Sequence, residues 1–192
     1  ELEADPIPFV RARIFYRFSK KHSLGVLLAP FTVTSTGALD RDIFYQGETF
    51  AAGTDLETTY QFNSWRLIYR YDLVRNEKFE AAIGFTAKIR DAKIIVKGGG
   101  KEADKVNVGF VPIIHFRLHY KMSERFGLLV DGDALAAPQG RAEDVLAALT
   151  MKAGDSLMFK LGYRILEGGA DNDEVYTFSL FHYLSFGAVV QL

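Results

Sequence analysis

At 192 residues the chain has the length of one domain, read as spanning residues 1–192. Hydrophobic content is high at 48%, yet no unbroken apolar run approaches the roughly 18 residues of a membrane-spanning helix, which excludes a helical membrane protein. The absence of cysteine excludes a disulfide framework and cysteine-ligated metal, and a net charge of −1 leaves no electrostatic footprint for nucleic acid.

Alternation of apolar and polar residues with a period of two governs the chain and predicts β-strands. The strands fall at 8–19, 23–34, 57–73, 79–96, 105–121, 126–136, 145–152, 157–166 and 175–192. Short polar turns at 20–22, 75–78, 122–125 and 153–155 alternate with longer loops at 35–56, 97–104, 137–144 and 167–174. Residues 42–50 read as a hairpin arm extending beyond the sheet. A helix over 142–151 is the lesser reading, because a short turn and another alternating segment follow. Short turns at one rim and longer loops at the other are the pattern of bacterial outer-membrane barrels.

The expected architecture is all-β, an antiparallel up-and-down transmembrane β-barrel of 8–10 strands. Nine strands is odd, and bacterial barrels of one chain close with an even number. Ten is favoured, one of them N-terminal to this chain.

Which side of each strand meets which solvent is read from the face opposite the apolar one. On the first strand Val10, Ala12, Ile14, Tyr16 and Phe18 oppose Arg11, Arg13 and Arg17. On the fifth, Val106, Val108, Phe110, Ile114, Phe116, Leu118 and Tyr120 oppose Asn107, His115, Arg117 and His119. Elsewhere the polar side carries small residues such as Gly25, Ser64, Ala82, Gly84, Thr86, Gly127, Gly162 and Gly187. Small residues mixed with arginine suit a narrow, crowded polar interior, so the apolar face is expected to point outward into lipid. A soluble lipocalin-like carrier would alternate with its apolar face inward. Tyr16, Phe18, Tyr69, Tyr71, Phe79, Tyr120 and Phe126 lie within a few residues of short turns, as in an interfacial aromatic girdle.

His115, Arg117 and His119 share one strand face, and the next strand presents Leu129, Asp131 and Asp133 inward. Pairing His119 with Leu129 across the turn sets Arg117 against Asp131 and His115 against Asp133. Histidines two apart on a strand lie roughly 7 Å from each other, too far for simple chelation, so no metal is expected. The preferred reading is a lumen charge network, with Arg11, Arg13, Arg66, Arg70, Glu80, Lys88, Arg90 and Arg164 as further members. Nothing in the chain calls for a cofactor. The run 98–100 of three glycines lacks the context of a phosphate loop. The acidic stretch 167–174 reads as a solvated loop rather than an ordered cation site.

The last strand ends Ser185-Phe186-Gly187-Ala188-Val189-Val190-Gln191-Leu192. With Gly187, Val190 and Leu192 it resembles the C-terminal assembly signal of outer-membrane barrels, although such chains more often stop at Phe. In its strands, girdle and terminus the chain resembles the small outer-membrane β-barrel proteins of Gram-negative bacteria, loosely the outer membrane protein W and X groups. That resemblance implies an outer-membrane location, with the bilayer, lipopolysaccharide and the outer-membrane assembly machinery as partners. It further implies a non-enzymatic role, either a narrow conduit for a small amphipathic ligand or a structural and surface-interaction protein. Some barrels modify lipid A with His and Ser groups near the bilayer; His182 is the one ionisable side chain on the outward face of the last strand, but Ser179 and Ser185 face the other way.

Overall fold

A computed structural model describes residues 2–137, 140–172 and 175–192. Among the described residues there is no helix, and twelve strands form in chain order. These are β1 (Ala12–Arg17), β2 (His22–Ala29), β3 (Thr32–Ala38), β4 (Ile43–Tyr45), β5 (Glu48–Phe50) and β6 (Asp55–Arg75). The remainder are β7 (Phe79–Gly98), β8 (Lys101–Lys121), β9 (Phe126–Ala137), β10 (Gly140–Lys152), β11 (Leu157–Asn172) and β12 (Val175–Val190). The main sheet runs β1-β2-β6-β7-β8-β9-β10-β11-β12, with β3 also paired to β6, while β4 and β5 form a separate hairpin. The fold is thus all-β and antiparallel, of the barrel-like kind.

The strands of the sheet are those the alternation predicts, and 140–152 is a strand and not a helix. Their ends differ in five places, the first being that the strand expected at 8–19 forms only over Ala12–Arg17. Residues 23–34 do not make one strand: Pro30, which has no N–H to give to the ladder, separates β2 from β3. The expected loop at 97–104 is a two-residue hairpin in which Gly99 (φ 57°) and Gly100 (φ 76°) take up the left-handed conformation of a type I′ turn. The expected loop at 167–174 is mostly strand, since β11 continues through Asn172 and β12 starts at Val175; Asp173 and Glu174 lie outside the described residues. The expected loop at 137–144 shrinks in the same way, with β10 starting at Gly140. The 42–50 arm is the β4–β5 hairpin, turning at Gln46 and Gly47.

Contacts gather into two compact units. The first comprises Glu1–Ile14, Val26–Leu67 and Ala87–Val111; the second comprises Phe15–Gly25, Ile68–Thr86 and Pro112–Leu192. The first has an apolar core of Phe50, Leu56, Val96 and Ala103, against which Leu2, Leu39, Ile43, Tyr45 and Ile94 pack. Burial, followed by the nearby Asp104 carboxylate, pushes the Tyr45 phenol above its ordinary pKa. In the second unit the sheet curls tightly. β1 and β8 are four steps apart in the strand order, about 19 Å if the sheet were flat. The rings of Phe15 on β1 and His115 on β8 nevertheless approach to 6.4 Å between centroids.

Charged and polar side chains are buried beside apolar ones, while many large apolar side chains are exposed. Among the side chains with no access to solvent are His115, Thr86 and Asp133, all at 0%. Leu184 is 83% exposed, Phe186 74% and Val108 66%. Alternation thus leaves an extensive apolar side of the strands exposed, while the buried positions hold these polar groups beside apolar ones such as Leu27, Ile68 and Leu146.

Candidate functional site

The inward face of the second unit holds a connected set of charged and polar side chains. Its register comes from the short turn between β8 and β9, where the Ser123 hydroxyl accepts from the Phe126 and Arg125 N–H groups. The pairs that follow are His119 with Leu129, Arg117 with Asp131 and His115 with Asp133, the register implied by the spacing in the sequence.

Three wholly buried groups form the centre. The Thr86 hydroxyl donates to Asp133 Oδ1 at 2.6 Å, and His115 Nδ1 lies 3.0 Å from the same oxygen. Arg70 Nε donates to His115 Nε2 at 3.2 Å. The arginine has only donors, so Nε2 must accept, and the proton of the ring sits on Nδ1, directed at Asp133. The guanidinium of Arg70 also lies 3.9 Å above the Phe15 ring, a cation–π arrangement.

A second group is organised by two carboxylates. Asp131 Oδ2 lies 3.6 Å from both Arg70 and Arg117. Glu80 receives Lys121 at 2.9 Å and stands 3.8 Å from Arg117 and His119. His119 Nε2 reaches Thr150 Oγ1 at 2.9 Å, although β9 lies between their strands. Gly127 on β9 permits this. A Cβ there would sit 2.8 Å from His119 Nε2 and 2.9 Å from Thr150 Oγ1, so a side chain would push the pair apart. Gly25 likewise leaves room for the Phe15 ring, which would lie 2.5 Å from a Cβ. Arg164 pairs with Asp144, both buried.

Eight of the residues expected in the network therefore lie in the second unit: Arg70, Glu80, His115, Arg117, His119, Asp131, Asp133 and Arg164. The other five belong to the first unit. There Arg66 is buried with its Nε donating to the Ser64 hydroxyl at 2.8 Å, and Lys88 is buried 4.7 Å from the Phe62 ring centroid. Arg90 bonds the Asn107 side chain, Arg11 lies 6.0 Å from the Phe9 ring, and Arg13 is half-buried. Sequence reasoning missed Lys121, Thr150, Phe15 and Asp144 as members, and took Thr86 only as a small filler. Their partners sit across the curl or on the neighbouring strand, and no local spacing signals the first kind.

No group of three or more His, Asp or Glu among the described residues has the geometry of a metal site. His182 is exposed on the outward face, where its Nδ1 lies 2.7 Å from the Tyr163 hydroxyl. His22 makes the same contact with Tyr69 at 2.7 Å, flanked by Phe18 and Tyr71. Each is an outward histidine held by a phenol on the adjacent strand, an arrangement that supplies no nucleophile. At the C-terminus Gly187 and Val190 lie on β12 and Leu192 just beyond it. Compared with protein-family models, with curated proteins and with solved structures, the chain matches none.

Proposed function

We propose that this protein is an integral β-barrel of a bacterial outer membrane, non-enzymatic, and similar in kind to the outer membrane protein W and X groups. The observation that carries the reading is that charged residues lie buried at 0–4% exposure while many large apolar ones are exposed. In water such a surface would drive aggregation, and in lipid it is the matched solvent. The outward Phe18–His22–Tyr69–Tyr71 cluster beside the 20–22 turn then sits at headgroup depth, where amphipathic rings settle. Of the two roles open to such a barrel, the packed interior of the second unit favours a structural or surface-interaction role over solute passage. Buried charges are stable only when paired, and here they pair with one another and leave little for a passing solute.

Two measurements test this. Refolding is expected to succeed in detergent micelles and fail in plain buffer, and the unboiled protein should migrate apart from the boiled one on a denaturing gel. A folded, monodisperse monomer in buffer would refute the membrane assignment. In planar bilayers the protein should show no steps of the size of an open aqueous pore; large, long-lived steps would favour the conduit.

A further inference from the structure

The turn between β1 and β2 differs in charge from the other short turns of the second unit. Residues 75–78, 122–125 and 153–155 each include a carboxylate, Glu77, Glu124 or Asp155, whereas Lys20-Lys21-His22 includes none. Its backbone is held on both sides. The Phe18 and Ser19 N–H groups donate to the His22 carbonyl, and the Lys21 carbonyl accepts from Asp72 N–H on β6. Lys20 is thereby set beside Arg17, whose Nη1 donates to the Lys20 carbonyl at 3.2 Å. Arg17 and Arg75 share the Asp72 carboxylate, at 2.5 and 3.8 Å. Four cations thus stand around one carboxylate that is already engaged twice. Lys20 and Lys21 are exposed and form no ion pair among the described residues. The mutual repulsion of these cations is a cost that a bound anion would remove.

Aromatic rings adjoin the cations on the outward face. The Lys21 ammonium lies 5.6 Å from the centroid of the Tyr71 ring. His22 stands 5.1 Å from the same ring and stacks on Phe18 at 5.9 Å, while its Nδ1 lies 2.7 Å from the Tyr69 hydroxyl. Exposed Tyr16 and Leu24 continue this surface away from the turn. A small inorganic anion would meet the cations alone. A molecule with an anionic head and an apolar tail would meet cations, rings and apolar surface together.

We infer that the 20–22 turn, with the Phe18–His22–Tyr69–Tyr71 rings, is a binding site for an anionic phospholipid. The phosphate lies against Lys20 and Lys21, and an acyl chain runs along Tyr16 and Leu24. This rests on the membrane reading, in which the turn lies at a bilayer surface and the ligand is a lipid of the adjoining leaflet.

Native mass spectrometry of the full chain, in whichever of nonionic micelles or plain buffer it folds, tests this with short-chain phosphatidylglycerol as the probe. Saturable retention of the lipid is expected, with phosphatidylcholine of the same chain length about ten-fold weaker. Lys20→Gln combined with Lys21→Gln should weaken retention about 25-fold, since each cation beside an anionic headgroup contributes about five-fold. Raising the salt to about 0.5 M should weaken it in the same direction. Lys20→Arg with Lys21→Arg should keep the lipid bound, and Arg125→Gln, in another short turn, should leave retention unchanged. Undiminished binding in the double glutamine variant, or an equal loss in Arg125→Gln, overturns the site. Equal retention of phosphatidylcholine overturns recognition of charge, and displacement by inorganic phosphate at similar concentration would reduce the site to one for a free anion. The two readings fail separately. Protein that folds only in micelles yet holds no phosphatidylglycerol removes the lipid site and leaves the membrane reading. Protein that folds in buffer and still holds the lipid through these lysines removes the membrane reading and leaves the site.

Discussion

Asp133→Ala is expected to lower the stability of the folded protein by about 3–5 kcal/mol, read as a fall in the urea midpoint at constant m-value in micelles. The carboxylate is wholly buried and receives both the Thr86 hydroxyl and the His115 ring N–H on one oxygen. Hydrogen bonds to a charged acceptor contribute about 1.5–3 kcal/mol each. Their loss leaves two donors without water to turn to. His115 is further constrained because its other nitrogen already accepts from Arg70, so it cannot simply exchange tautomers to find relief. Asp133→Asn keeps an acceptor oxygen in place and should lose less than half as much. If Asp133→Ala and Asp133→Asn destabilise equally, the charge itself and not the geometry of the acceptor is what the site requires. If neither matters, the interior is more hydrated than its packing implies.

Leu184→Arg makes the complementary case on the outward face. Its side chain is 83% exposed and lies within β12, away from either end of the strand. Arginine on the lipid face of a barrel costs about 2–4 kcal/mol near the bilayer midplane, whereas an exposed substitution facing water usually changes stability by less than about 0.5 kcal/mol. Unfolding titrations in phosphatidylcholine vesicles should therefore show a loss near the upper figure. A change within error would mean that this face meets water. Together the two substitutions weigh the two solvents of the fold, since one removes a charge from the inside and the other adds one to the outside.

Much of this was readable from residue order. Period-two alternation fixes a strand by itself, and a short turn fixes its partner's register, so His115–Asp133 and Arg117–Asp131 follow from the 122–125 turn alone. The face assignment also follows, because arginine and glycine together on one side of a strand suit only a crowded interior. Strand ends were harder. Gly99 and Gly100 read as loop by composition, yet two glycines with positive φ are what a tight hairpin needs, and they let β7 and β8 run on to Gly98 and from Lys101. Acidic residues at 167–172 suggested solvent, but β11 is paired in this stretch with both β10 and β12, and Glu167 there pairs with Arg141 on β10. Partners two or more strands apart, such as Thr86 with Asp133 and His119 with Thr150, depend on the curl of the sheet. That curl is a sum of small twists over many residues, and it has no signature at any one position.

The β4–β5 hairpin packs on an apolar core of its own unit and not on the ladder of the main sheet. Its tip, Gln46-Gly47, is exposed and already bent into left-handed conformations. A short peptide spliced in at that tip would interrupt neither the apolar core nor any strand of the main sheet, and exposed tips of this kind accept insertions well. The hairpin is therefore a natural mounting point for an epitope or affinity tag, by which the purified protein could be captured or labelled without disturbing the part of the chain that holds the fold.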